Sequence, residues 1–201
     1  MALLSLFENN YEKTLMWVLI GVFLDSFDGL VARSFRATTE IGKQLDSLCD
    51  VISFGVVPGY FMYKYLSDFL SYELVPLSLS AFVVTLASIF RLARFNITPS
   101  SQLDFQGLPT PAFALFVIGI PFIPYEINPI IITVIVALLT VLMVSKIMLP
   151  SQKFVNGKPS NFFWIFAVIF IPLLLIFRSQ ALSLTVLTYA FFGMLYMRLR
   201  A

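Results

Sequence analysis

Asp25-Ser26-Phe27-Asp28-Gly29-Leu30-Val31-Ala32-Arg33, followed after eight residues by Gly42-Lys43-Gln44-Leu45-Asp46-Ser47-Leu48-Cys49-Asp50, is the stretch on which the reading turns. It sets four aspartates into otherwise apolar surroundings. Asp25 and Asp28 are three residues apart, and Asp46 and Asp50 are four apart. In a helix both spacings bring the two carboxylates to one face. The stretch 34–41 can turn the chain back, which lets all four acids converge at one end of a helix pair.

The surrounding text decides the solvent. Of 201 residues, 59% are hydrophobic and only 12% are charged, and the mean hydropathy is +0.92. A soluble domain is nearer half apolar and a quarter charged. The apolar residues come in blocks, several of them reaching the roughly 20 residues that a bilayer core demands. The chain therefore reads as an all-α, polytopic transmembrane helix bundle. Helices are expected over 12–33, 42–65, 73–95, 111–122, 129–148, 161–177 and 179–199, about seven spans. Gly107, Pro109, Pro111, Pro121, Pro124, Pro150, Gly157 and Pro159 punctuate the joins. No linker is long enough to separate two domains, so residues 1–201 are expected to form a single membrane-embedded unit.

Composition also excludes. A single cysteine, Cys49, leaves no internal disulfide, and the absence of histidine removes imidazole-held zinc or haem. A net charge of +2 is too small to argue for a nucleic-acid partner. The basic residues sort by side. Arg33, Arg36, Lys43, Arg91, Arg94, Lys146, Lys153, Lys158, Arg198 and Arg200 collect on one side of the bundle, against Lys13, Lys64 and Arg178 on the other. Basic residues stay in the cytoplasm. That rule places the acids at the cytoplasmic face of a cell membrane, with residue 1 outside.

Four like charges in a membrane are costly. An ionic network with Arg33 and Arg36 is one answer, and a proton or cation pathway through an ion-coupled transporter is another. A divalent cation is the more economical counter-charge. Carboxylate oxygens without histidine or cysteine ligands suit Mg²⁺ or Mn²⁺. Four carboxylates suffice for two ions, which sit about 4 Å apart in phosphoryl-transfer sites. Gly29 and Gly42 add a reason to prefer this reading. Glycine lets a ligand approach the backbone closely, and a transport pathway leaves both glycines unexplained.

The eight positions Asp25, Asp28, Gly29, Ala32, Arg33, Gly42, Asp46 and Asp50, at these spacings, resemble the signature of the CDP-alcohol phosphatidyltransferase family. Its members transfer a phosphatidyl group from a CDP-linked lipid to an alcohol and release CMP. The flanking text is similar to the branch that uses L-serine as acceptor, over roughly residues 5–160. It comprises Ser53-Phe54-Gly55-Val56-Val57-Pro58, Arg91-Leu92-Ala93-Arg94-Phe95-Asn96, Phe105-Gln106-Gly107-Leu108-Pro109-Thr110-Pro111 and Leu142-Met143-Val144-Ser145.

The resemblance implies CDP-diacylglycerol and L-serine as substrates, with two Mg²⁺ or Mn²⁺ ions. Asp25, Asp28 and Asp46 hold metal. Asp50 completes the second ion's site and is the general base. Gly29, Ala32, Arg33 and Gly42 hold the CDP moiety. Glycerol 3-phosphate and inositol phosphate are the alternative acceptors, and each carries a phosphate that calls for more basic residues around the pocket. Arg91 and Arg94 read either as topology anchors or as contacts to the serine carboxylate or lipid phosphate, with Asn96 joining them. The resemblance further implies a family first span, which is expected to be lacking here because only residues 2–7 precede the polar turn. A homodimer is left open.

Overall fold

The computed structural model describes residues 1–34, 39–70, 72–97, 105–150, 154–155, 158–159 and 181–200. The chain divides into two compact units, Met1–Ile97 and Thr98–Ala201.

The first unit begins with a short helix α1, Ala2–Phe7, and a tight reversal at Asn9. Asn9 has φ 58°, a left-handed conformation that asparagine tolerates better than most residues. Asn10 then starts α2, Tyr11–Ser34. Its Oδ1 accepts from the Lys13 N–H at 3.0 Å, and its carbonyl accepts from Thr14 Oγ1 at 2.9 Å. These bonds occupy polar groups that the end of a helix otherwise leaves open. The 24 residues of α2 rise about 36 Å, more than the roughly 30 Å of a hydrocarbon core.

Thr39 caps α3, Glu40–Val51, by accepting the Gly42 N–H on Oγ1 at 3.0 Å. The helix passes without a break through a π-helical turn, Ile52–Val56, into α4, Val57–Phe69. A 3-10 segment, Tyr72–Phe82, leads into α5, Val83–Ile97. The expected helix over 73–95 is thus wound two ways. Pro76 lacks the N–H that an α-helical bond there uses, and it lies inside the tighter segment.

The core of this unit is Leu6, Leu15, Val18, Phe54, Val57, Phe61, Met62 and Leu92. Phe7 packs on Tyr60 with ring centroids 4.7 Å apart. Lys64 donates to the Leu6 carbonyl and to Asn9 Oδ1. Because α2 runs from this turn towards Asp25, Lys64 and Lys13 sit at the end of the unit away from the acids. Small residues bring α4 and α5 together. A Cβ on Gly59 would come within 2.3 Å of Thr85 Oγ1, and one on Gly55 within 3.0 Å of Ser88 Cβ. Membrane helices pack in this way where water supplies no hydrophobic drive.

In the second unit, β1, Phe105–Gln106, pairs antiparallel with β2, Met148–Leu149. Gly107 follows with φ +72°, its N–H donating to the Ile147 carbonyl at 2.9 Å. Helix α6, Thr110–Gly119, ends in a 3-10 turn, Ile120–Phe122. Asn128 caps α7, Pro129–Val144, accepting the Ile130 N–H at 2.9 Å. Strands β3, Phe154–Val155, and β4, Lys158–Pro159, form a small hairpin. The last helix, α8, is Ala181–Arg200. Ser183 Oγ of α8 donates to the Phe116 carbonyl of α6 at 2.8 Å, and Gly119 admits the contact.

Among the described residues, three helices are long and apolar enough to cross a membrane: Glu40–Phe69, Leu77–Ile97 and Ala181–Leu199. Thr110–Phe122 and Pro129–Val144 are apolar but shorter. The expectation of about seven spans is met here only in this coarser form. Helix α7 stops at Val144 rather than 148 because Met148 and Leu149 are taken up by the β1 pairing. The helix expected over 161–177 lies outside the described residues. Phe23, Leu86, Phe90, Leu138 and Phe191 are each more than half exposed. In water such a surface is an association liability, whereas hydrocarbon matches it. The architecture is a membrane-embedded bundle of helices.

Candidate metal centre

Three of the four signature aspartates converge. Asp25 comes from α2, and Asp46 and Asp50 from successive turns of α3. One carboxylate oxygen from each lies within 4.8 Å of the other two. Asp25 and Asp50 are half-buried, and Asp46 is exposed. The pattern of α3 explains why both its acids turn the same way. Ile41, Leu45, Leu48 and Ile52 recur at spacings of four, three and four, forming one exposed apolar stripe. Lys43, Asp46, Ser47 and Asp50 occupy the opposite face.

Asp50 sits in a crowded field. The negative charges of Asp25 and Asp46 act on it, and so does the positive charge of Arg91. Arg91 projects from α5 and is only 8% exposed. Two like unit charges 4.8 Å apart repel by about 3 kcal/mol at an effective dielectric near 20. Among the described residues Arg91 is the cation acting on Asp50, and three converging carboxylates are suited to a divalent cation. The spacing fits a small, hard one. Around an octahedral Mg²⁺ opposite oxygens stand about 4 Å apart and adjacent ones about 3 Å. The triad oxygens, within 4.8 Å of one another, would draw inward to close around such an ion. All donors are carboxylate oxygens, the ligand chemistry that Mg²⁺ and Mn²⁺ prefer.

The other expected site residues fall into two groups. Asp28, Gly29, Ala32 and Arg33 lie on α2, which ends at Ser34, but their side chains are outside the described residues, as is Arg36. Gly42 lies in the first turn of α3, its N–H donating to Thr39 Oγ1, and a Cβ added to it would stand 3.0 Å from that oxygen. Arg94 is half-buried, and its guanidinium carbon stands 5.0 Å from the centroid of the Phe90 ring. A guanidinium over an aromatic face makes a cation–π contact.

Asn96, on α5, bonds to two residues of α3. Its Nδ2 donates to Ser47 Oγ at 2.9 Å, and Ser47 Oγ donates back to its Oδ1 at 3.2 Å. Its backbone carbonyl accepts from Lys43 Nζ at 2.7 Å. Charge patterning assigns Lys43 only a side of the membrane, and Ser47 enters only as part of the signature stretch. Their partner lies about fifty positions along the chain, and no local periodicity points to it.

A helical membrane bundle with a carboxylate triad matched to a divalent cation defines a class of membrane-embedded proteins built around acidic metal centres. Comparison with known proteins makes it specific. Residues 1–146 match the model of the CDP-alcohol phosphatidyltransferase family. The chain belongs to that family. It is 33% identical to the CDP-diacylglycerol–serine O-phosphatidyltransferase of Bacillus subtilis, over 76% of this chain and 83% of the relative. It is 34% identical to the enzyme of that name from Methanocaldococcus jannaschii, over 96% of this chain and 86% of the relative. The Helicobacter pylori enzyme of that name is 33% identical, with 97% and 85% covered.

Proposed function

We propose that this protein transfers the phosphatidyl group of CDP-diacylglycerol to L-serine, giving phosphatidylserine and CMP. The observation that carries the reading is the meeting of Asp25, Asp46 and Asp50 within 4.8 Å, on the family's signature positions. The relatives named above supply the acceptor, since all three are named for serine.

In this reading Asp25, Asp28, Asp46 and Asp50 hold two Mg²⁺ or Mn²⁺ ions. When bound, the ions offset the charge of the diphosphate and of the departing CMP. Gly29, Ala32, Arg33 and Gly42 hold the CDP moiety. The serine hydroxyl oxygen attacks the phosphorus of the phosphatidyl group. The bond from that phosphorus to the bridging oxygen breaks, and CMP leaves with the electron pair. Asp50 takes the hydroxyl proton, since an alcohol is a weak nucleophile until a base at hydrogen-bond distance removes it. Arg91, buried beside Asp50, offers a positive charge to the acceptor carboxylate or to the lipid phosphate. Arg94, over the Phe90 ring, offers a planar fork to the same groups. The charge distribution supports a site opening to the cytoplasm.

The test is CMP release by purified protein given CDP-diacylglycerol with serine, glycerol 3-phosphate or inositol phosphate. Release with serine alone is the expected result. Release with a phosphate-bearing acceptor instead moves the protein to another branch of the family. Cation flux without CMP release makes it a transporter.

A further inference from the structure

The rotation of α3 decides whether the metal centre exists. A turn of about 100°, one residue's worth, carries Asp46 and Asp50 away from Asp25. The apolar stripe of α3 sets that rotation only broadly, because no residue of α3 is buried. Helix α5 runs antiparallel along it and supplies the fixed points. Asn96 meets Ser47 and Lys43, Arg91 acts on Asp50, and Thr85 and Ser88 meet Gly55 of the π-helical turn.

Of these points, Arg91 and the Ser47–Asn96 pair lie beside the acids, and the pair joins α3 to α5 through two hydrogen bonds. Ser47 follows Asp46 directly and precedes Asp50 by three residues, so it shares their face. Its hydroxyl both donates to and accepts from one amide, at 3.2 Å and 2.9 Å. A reciprocal pair fixes direction as well as distance, so α3 can neither roll nor slide without losing both bonds. The Lys43 ammonium on the Asn96 carbonyl, 2.7 Å away, secures the same end of α5. A cation is favourable at the C-terminus of a helix.

We propose that Ser47 and Asn96 are positioning residues for the metal centre, their reciprocal hydrogen bond setting the rotation of α3 that presents Asp46 and Asp50 to Asp25. The proposal rests on the reading of the triad as a cation site. It gives Asn96 a task other than contact with the acceptor.

The experiment is Mn²⁺ binding to the purified full chain, followed by electron paramagnetic resonance without substrate, alongside serine KM at saturating Mn²⁺. Ser47→Ala and Asn96→Ala are each expected to weaken Mn²⁺ binding about 2- to 10-fold, the factor that one hydrogen bond of ordinary net strength carries. The double variant should be no weaker than the weaker single variant, because both remove one shared interaction. Ser47→Thr, which keeps the hydroxyl, should bind as the parent does. Serine KM at saturating Mn²⁺ should stay near the parent value. Unchanged Mn²⁺ binding in Ser47→Ala, which removes no buried group, overturns the proposal even if Asn96→Ala fails to fold. So do additive losses in the double variant, or a serine KM that rises with Asn96→Ala alone. A parent protein that binds no Mn²⁺ overturns the metal reading and the proposal together.

Discussion

Thr85 on α5 donates a 3.0 Å hydrogen bond to the carbonyl of Gly55, inside the π-helical turn that follows Asp50. The turn, which buries Phe54, changes the winding between the acids of α3 and the buried face of α4, where Val57 and Phe61 lie. Irregular winding at membrane depth persists where neighbouring side chains satisfy the backbone. Thr85 does so, and Gly55 and Gly59 give it room.

The first prediction concerns that contact. Gly59→Ala places a Cβ about where Thr85 Oγ1 already is and should cost about 1 to 3 kcal/mol of stability, the usual penalty of overpacking. Thr85→Val keeps the shape, loses the bond, and should cost about 1 kcal/mol. Gly21→Ala is the control, since its nearest neighbour is Phe54 at 3.9 Å. Thermal unfolding in detergent measures all three. Equal midpoints for Gly59→Ala and Gly21→Ala would refute the close approach.

Gly107 is constrained twice, by φ +72° and by Met143 O, which would stand 2.3 Å from an added Cβ. Gly107→Ala should therefore lose at least about 2 kcal/mol. Gly107→Asn relieves only the backbone preference, so it should remain nearly as unstable. Full recovery by asparagine in the same unfolding measurement would show that the contact with α7 is unimportant.

How far the sequence foretells these features depends on how local they are. Asp46 and Asp50 are four residues apart on one helix, so their common face follows from helical period alone. That Asp25 joins them needs only one reversal of the chain, which the polar stretch after Arg33 announces. The Ser47–Asn96 pair needs the antiparallel packing of α3 on α5, which no single window contains. The π-helical turn changes the winding within a run whose composition reads the same as an α-helix. The Phe105–Pro111 and Leu142–Ser145 stretches were legible as motifs but not as neighbours. Their relation appears only when Gly107 is seen against Leu142 and Met143. The prolines at 121, 124 and 129 mark where α6 stops and α7 starts, but not how far either falls short of a full span.

Asp50 tests the assignment of the base. Asp50→Asn should lower turnover by about 10²- to 10⁴-fold, the range of a lost general base. CDP-diacylglycerol binding should fall far less. Turnover near that of the parent would remove Asp50 from this role.

Arg94 tests the acceptor side. Arg94→Ala should raise the serine KM more than the CDP-diacylglycerol KM. Phe90→Leu, which removes the stacking surface 5.0 Å from the guanidinium, should shift the same parameter by less. A change confined to the lipid parameter would assign Arg94 to phosphate. No change in either would leave it as a topology anchor.

The most direct measurement of the central claim is phosphatidylserine formation from CDP-diacylglycerol and labelled L-serine by the purified chain, with and without a divalent-cation chelator. Product should be lost with the chelator and return on adding Mg²⁺ or Mn²⁺ in excess. Asp25→Asn and Asp46→Asn that still fold in detergent should give no product. Full product formation under excess chelator would contradict a metal-dependent transfer.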